Sequence, residues 1–197
     1  VSRALKAGMR LIDTARVYDV EKQVGRGIKR SGIPRGEIFL GTKLWCNDYH
    51  PDDVEKALDE SLADLDTPYV DLFLMHYPCT FARGRDRFPR DNNGNMILGE
   101  TNFVDTWLAM EQLAKTGKAK AIGVSNFSKG ELETLIKRSA TVSPPMAGNR
   151  TPDVISVRNQ LTRPEDTLCS PDGSSSLSAA KVFQQVASFQ GHSCGSV

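Results

Sequence analysis

The feature that most constrains this chain is an alternation: from Val1 to about Arg138, short apolar runs take turns with segments of helical period. VSRALKAG reads as a helix closing on Gly8, a residue type common just past a helix end, and MRLID after it as a strand. VEKQVGRGIKRSG sets Val20, Val24 and Ile28 on one face and again stops at a glycine, Gly32. EIFLGTKLW is the second strand. PDDVEKALDESLADL opens with Pro51, Asp52 and Asp53, which suit a helix N-terminus, and carries Val54, Leu58, Leu62 and Leu65 as its apolar stripe. YVDLFLMH is the third strand. A polar loop from about Tyr77 to Asn102, long enough to suggest a functional role, leads into FVDTWLAMEQLAKTG, with Phe103, Trp107, Met110 and Ala114 on one side. KAKAIGVSN is the fourth strand, and Ser128 and Glu131 have the spacing of a capping box for the next helix. Strands apolar along nearly their whole length are buried on both faces, so the pattern predicts parallel strands covered by helices. Either a (β/α) barrel or an open doubly wound sheet satisfies it.

Beyond Arg138 the pattern stops. Residues 139–197 are rich in Ser, Pro and Thr, with one short helix-like stretch, SAAKVFQQVASF. Such a composition buries too little apolar surface to offset the entropy of ordering, so residues 1–138 are expected to form the folded part and 139–197 an irregular, poorly packed tail. The near balance of 25 Lys and Arg against 24 Asp and Glu, a net charge of +1, supplies no basic excess for nucleic acid or an anionic membrane. No apolar run reaches the roughly 18 residues of a membrane span, and no secretory signal opens the chain. A cytoplasmic location is therefore expected. Cys46, Cys79, Cys169 and Cys194 lie far apart in sequence, without a CxxC pair, and read as reduced thiols. His50, His76 and His192 form no HxH or HExxH pair, which disfavours a metal-dependent hydrolase, and no metal is expected.

The polar residues gather at strand ends: Asp13 with Tyr18 after the first strand, Lys43 at the end of the second, His76 at the end of the third, Ser125 and Asn126 after the fourth. Taken singly, each has a plain structural reading, as a turn cap, a half-buried aromatic, a solvated cation or a satisfied core histidine. Together they sit where barrels of parallel strands collect catalytic groups. Adding hydride to a carbonyl carbon requires an acid for the oxygen. A phenol serves if its pKa falls from about 10 towards working pH, each unit needing about 1.4 kcal/mol of differential stabilisation of the phenolate. Lys43 is expected to supply that positive charge beside Tyr18, Asp13 to hold the ammonium, and a neutral His76 to donate a hydrogen bond to the substrate oxygen.

GMRLIDTARVYDVEKQVGRGI, GTKLW, YVDLFLMHYP and TWLAMEQLAKTGKAKAIGVSNF, in this order and spacing, resemble the aldo-keto reductases across residues 1 to about 138. The resemblance implies a (β/α)8 barrel, here a partial one of four to five βα units. It also implies NADPH, less often NADH, as cofactor, and reversible reduction of small aldehydes or ketones to alcohols. It makes Asp13, Tyr18, Lys43 and His76 the catalytic tetrad, with Tyr18 the proton donor. Asp13, Ser125 and Asn126 become cofactor contacts, Ser125 and Asn126 through the nicotinamide carboxamide. Trp45 and Tyr77, with His76, become substrate-pocket walls. The family does not use a GxGxxG loop, and none is found here.

The chain departs from the family at several points. Val20 stands where Asn is frequent, with Asp19 expected to cap the following helix instead. Tyr77 replaces a frequent Trp. A complete barrel of this type takes about 250 residues, so a chain truncated at both ends is expected, its sequence after Arg138 drawn from another reading frame or a retained intron. VRNQL, with Asn159 and Gln160, resembles the family's next strand only faintly. A competing expectation is a catalytically inactive remnant with at most weak cofactor or partner binding. The sequence sets no oligomeric state.

Overall fold

Leu11–Asp13 (β1), Phe39–Leu44 (β2), Val70–Met75 (β3), Ala119–Ser125 (β4) and Val154–Val157 (β5) pair in chain order as one parallel sheet. This is a computed structural model, and it describes residues 1–138 and 154–157. The strand order decides between the two architectures left open above. A doubly wound sheet reverses its order at a switch point, whereas here every strand pairs with its successor, as along an arc of a (β/α)8 barrel. Helix Ser2–Lys6 (α1) precedes β1, and Glu21–Ser31 (α2), Pro51–Leu65 (α3), Phe103–Leu113 (α4) and Lys129–Arg138 (α5) connect the successive strands.

The fifth strand lies past the point where the sequence pattern breaks. VISV is rich in branched residues but is embedded in Ser/Pro/Thr-rich sequence that masks it, and only pairing with β4, from Ile122 against Val154 to Ser125 against Val157, reveals it. Asn159, Gln160, the SAAKVFQQVASF stretch and the rest of the tail lie outside the described residues.

Alternation along each strand divides the side chains between two faces. Leu40 and Leu44 of β2, Phe73 and Met75 of β3, and Ile122 and Val124 of β4 turn outward into a core completed by Val54, Leu58, Leu62 and Leu65 of α3 and by Trp107 and Met110 of α4. The stripe expected on α3 is this buried face. Of the three valine and isoleucine positions expected on α2, Val24 and Ile28 are buried. Val20 instead stands at the N-cap, 39% exposed. Asp19 does not cap α2 either: it adopts a left-handed conformation (φ 58°), and its carboxylate pairs with Arg87 at 3.1 Å. The capping box on α5 forms as expected, with Ser128 N–H donating to Glu131 at 2.6 Å and Glu131 N–H to Ser128 Oγ at 3.4 Å.

A buried carboxylate joins three elements on the helix side. Glu21 of α2 accepts from Thr42 Oγ1 of β2 at 2.6 Å and from Ser61 Oγ of α3 at 3.0 Å, and lies 3.7 Å from the Arg16 guanidinium. Arg16 opens the 3-10 turn Arg16–Tyr18 and also pairs with Asp64 at 3.0 Å and with Glu60. The turn that bears Tyr18 is thereby fixed to α2 and α3. At the opposite end of the strands, Asp71 receives Arg35 and Lys120, each at 2.9 Å, while both cations lie over the Tyr69 ring. That end of a barrel serves stability rather than chemistry. No helix among the described residues is long and apolar enough to cross a membrane.

The α2–α3 contact is close because Gly25 has no side chain: a Cβ there would collide with the Leu65 carbonyl oxygen. Backbone cannot yield as a flexible side chain does. Gly25→Ala is therefore expected to destabilise the fold by about 1–3 kcal/mol despite alanine's better helix propensity. A lowered midpoint in thermal or urea unfolding checks this, and an unchanged or raised midpoint contradicts the close packing.

Candidate active site

The inward face of the sheet carries the polar strand ends. Asp13 closes β1, Lys43 is the penultimate residue of β2, His76 directly follows β3 and Ser125 closes β4. In register Asp13 lies opposite Gly41, so Lys43, two residues on, overhangs the carboxylate from the same face.

Lys43 is 4% exposed, and its ammonium is fully engaged: Nζ donates to both Asp13 oxygens at 2.8 Å and to the Thr14 carbonyl at 3.0 Å. A buried ammonium without such partners would be severely destabilising. The same nitrogen stands 5.4 Å from the centre of the Tyr18 ring. Tyr18 is half-exposed and meets the His76 ring edge-on at 5.7 Å. The four residues expected as a tetrad thus share one mouth of the sheet.

Their electrostatics differ from the sequence expectation in one respect. Burial and the Asp13 carboxylate push the Tyr18 phenol above its ordinary value, where the sequence reading has Lys43 pull it down. Burial is the larger cause, and the pairing weakens the opposing one: the ammonium is bound by both carboxylate oxygens, so the phenol faces an ion pair rather than a bare cation. His76 behaves as expected of a neutral donor, since burial and the Lys43 charge push its imidazole down to about 4. Nδ1 of His76 is buried without a hydrogen-bond partner. Assigned from this network, the imidazole proton belongs on Nε2, because an unpaired buried N–H costs more than an unpaired lone pair.

Aromatic rings line the mouth. Trp45, following β2, contacts His76 at 5.1 Å, Tyr77 at 6.0 Å, Phe81 at 5.8 Å and Phe88 at 5.5 Å. Tyr77 stacks on His76 at 5.1 Å with an interplanar angle of 14°. Tyr49 is fully buried below them. Its hydroxyl donates to the Tyr77 carbonyl at 2.6 Å and accepts from the Tyr77 N–H at 3.1 Å, so the loop after β2 is tied to the loop after β3. The long loop contributes more than its polar sequence suggests. Its Arg87 carbonyl accepts from Trp45 Nε1 at 2.8 Å, while Phe81 and Phe88 pack on the same indole. Arg16, Phe81, Arg87 and Phe88 are the residues that sequence reasoning missed. The loop's length was the available signal for the last three.

Ser125 is buried, and Asn126 takes a left-handed conformation (φ 63°), donating through Nδ2 to the His76 carbonyl at 2.8 Å and to Ser125 Oγ at 3.2 Å. These bonds leave the Asn126 carbonyl oxygen as an acceptor and the Ser125 hydroxyl hydrogen as a donor. A primary carboxamide presents the complementary pair, an N–H donor and a carbonyl acceptor. The nicotinamide end of a dinucleotide therefore fits this corner. Among the described residues no group of three or more His, Cys, Asp or Glu could hold a metal ion.

The family model for the aldo/keto reductases matches residues 1–159. This chain belongs to the aldo/keto reductase family. It is 48% identical over 149 residues to aldo-keto reductase family 1 member A1 of Xenopus tropicalis, covering 73% of this chain and 45% of that protein. It is 46% identical over 155 residues to glycerol 2-dehydrogenase (NADP(+)) of Saccharomyces cerevisiae, covering 75% and 49%. The solved aldose reductase of Schistosoma japonicum superposes with a TM-score of 0.69 at 36% identity, covering 71% of this chain and 48% of that one. The chain thus spans just under half the length of the curated relatives it matches.

The depressed His76 pKa has a measurable sign. With a folded value of about 4 below the ordinary 6.5, the unfolded chain takes up this proton first, so the His76 contribution to stability is lost as pH falls from 6.5 to about 4. Asp48 opposes it: burial raises its carboxyl from 3.8 to about 6, so the fold gains stability as pH falls through that interval. Because the two overlap, a direct titration is the sound test. NMR of the His76 imidazole is expected to give a midpoint near 4. A midpoint near that of an exposed histidine would contradict the burial.

Proposed function

We propose that this chain carries the catalytic end of an NADPH-dependent oxidoreductase that reversibly reduces small aldehydes or ketones to alcohols. The observation that carries the reading is the buried Lys43 ammonium paired with Asp13, with Tyr18 and His76 beside it at the mouth of parallel strands. The yeast relative's NADP(+) dependence supports the choice of cofactor.

The bound nicotinamide would supply the hydride, its carboxamide held by Ser125 and Asn126. This chain's own residues do the rest. His76, neutral through the physiological range, donates from Nε2 to the carbonyl oxygen and orients it between Trp45 and Tyr77. Tyr18 keeps its proton at neutral pH, as its raised pKa requires, and delivers it as charge builds on that oxygen. An alkoxide is a far stronger base than a phenolate, so transfer runs downhill even from a phenol held above its ordinary value. Lys43 then stabilises the phenolate that remains, and Asp13 keeps the ammonium in place.

Two measurements on the full chain test this. Tyr18→Phe is expected to lower kcat for NADPH-dependent aldehyde reduction by roughly 10²–10⁴-fold, while NADPH still raises the thermal midpoint. Wild-type chain with neither turnover nor a midpoint shift would instead favour the non-catalytic remnant.

A further inference from the structure

A pair of thiols lies directly behind the aromatic wall and is used by none of the chemistry above. Cys46 follows Trp45, and Cys79 lies three residues past His76, yet the fold brings their Sγ atoms to 3.8 Å. We propose that Cys46 and Cys79 are a peroxide-responsive thiol pair, reduced at rest, that closes to a disulfide joining the loop after β2 to the loop after β3.

The two sulfurs are unequal in the way such chemistry needs. Cys79 is exposed and can meet an oxidant, whereas Cys46 is completely buried and can meet only Cys79. The contact between them also divides their acidity. The hydrogen bond from Cys46 pulls the Cys79 thiol down to about 7, while Cys46 is pushed up, first by that same bond and then by burial. Cys79 is therefore the nucleophile and Cys46 the resolving thiol.

The step balances with a hydroperoxide as oxidant. The Cys79 thiolate attacks one peroxide oxygen, the O–O bond breaks, and the leaving hydroxide takes a proton to become water, leaving a sulfenic acid. The Cys46 sulfur then attacks the sulfenic sulfur, the S–O bond breaks, and the Cys46 proton leaves with the hydroxyl as a second water. The thiols lose two electrons and the peroxide gains them.

Closing the bond needs the sulfurs to move from 3.8 Å to about 2.05 Å. The two loops are already joined, by the Phe81 N–H donating to the Cys46 carbonyl at 3.0 Å and by Tyr49 bridging to Tyr77. Closure thus asks for a small local shift rather than the capture of a free segment. Because Trp45 adjoins Cys46 and packs on His76, the shift reaches the proposed substrate wall.

The test is sulfur chemistry and stands whether or not the chain turns over a carbonyl. Reduced full-length chain is treated with hydrogen peroxide, alkylated, digested and analysed by mass spectrometry. The expected product is a Cys46–Cys79 linked peptide, lighter by about 2 mass units, reversed by dithiothreitol and favoured over any link to Cys169 or Cys194. In Cys46→Ser, and in Cys46→Ala as a second variant, dimedone is expected to trap a sulfenic acid on Cys79. Cys79→Ser should abolish both link and adduct. Iodoacetamide labelling of wild-type Cys79 should be half-maximal near pH 7. Failure to link, a preference for another cysteine pair, or the same linkage rate in concentrated urea would each overturn the proposal, the last because the fold would then contribute nothing.

Discussion

The arrangement depends on one ion pair whose ammonium is buried and whose carboxylate is half open to solvent. Lys43 reaches from β2 across the Gly41 position to both oxygens of Asp13 on β1 and to the Thr14 carbonyl, almost wholly removed from water. Taking an ammonium out of water costs several kcal/mol unless its donors are all satisfied, and here three acceptors surround it. The pair therefore holds only while β1 and β2 keep their parallel register, so that fold and site reinforce one another. The outward core of α3, α4 and the strands supplies the burial energy, and the inward face holds the charge.

The pair also reinforces the effect of burial on its neighbours. Burial, with the Asp13 carboxylate adding to it, keeps the Tyr18 phenol protonated, and burial, with the Lys43 ammonium adding to it, keeps His76 neutral. Two groups of very different intrinsic acidity are thus both held uncharged at neutral pH, each with a proton to donate. Such a mouth suits an incoming polar, uncharged group such as a carbonyl, whose developing negative charge meets an ammonium already in position.

The walls are fixed from behind by polar contacts between loops. Tyr49 ties the backbone of Tyr77, Arg87 accepts from Trp45, and Arg16 anchors the Tyr18 turn to α2 and α3 through acidic residues on both helices. None of these side chains has to touch a substrate to matter, since each holds a ring or turn at the mouth in place. The Cys46–Cys79 contact belongs to the same layer and differs in being chemically reactive.

Sequence alone determined the alternating strands and helices up to Arg138, because period and apolar content are local properties. Through motif order it also determined the family and the residues at the strand ends. Periodicity by itself left barrel and doubly wound sheet open, since strand order is a property of pairing; the family resemblance pointed to the barrel, and the strand order agrees. The VISV strand was hidden because its evidence is the edge of β4 rather than its own neighbours. Only tertiary structure decided that Asp19 pairs with Arg87 instead of capping α2, that the Tyr18 phenol is raised rather than lowered, and that Cys46 and Cys79 touch. Each of these turns on distances between residues remote in the chain, and electrostatics and reactivity depend on such distances far more steeply than on residue type.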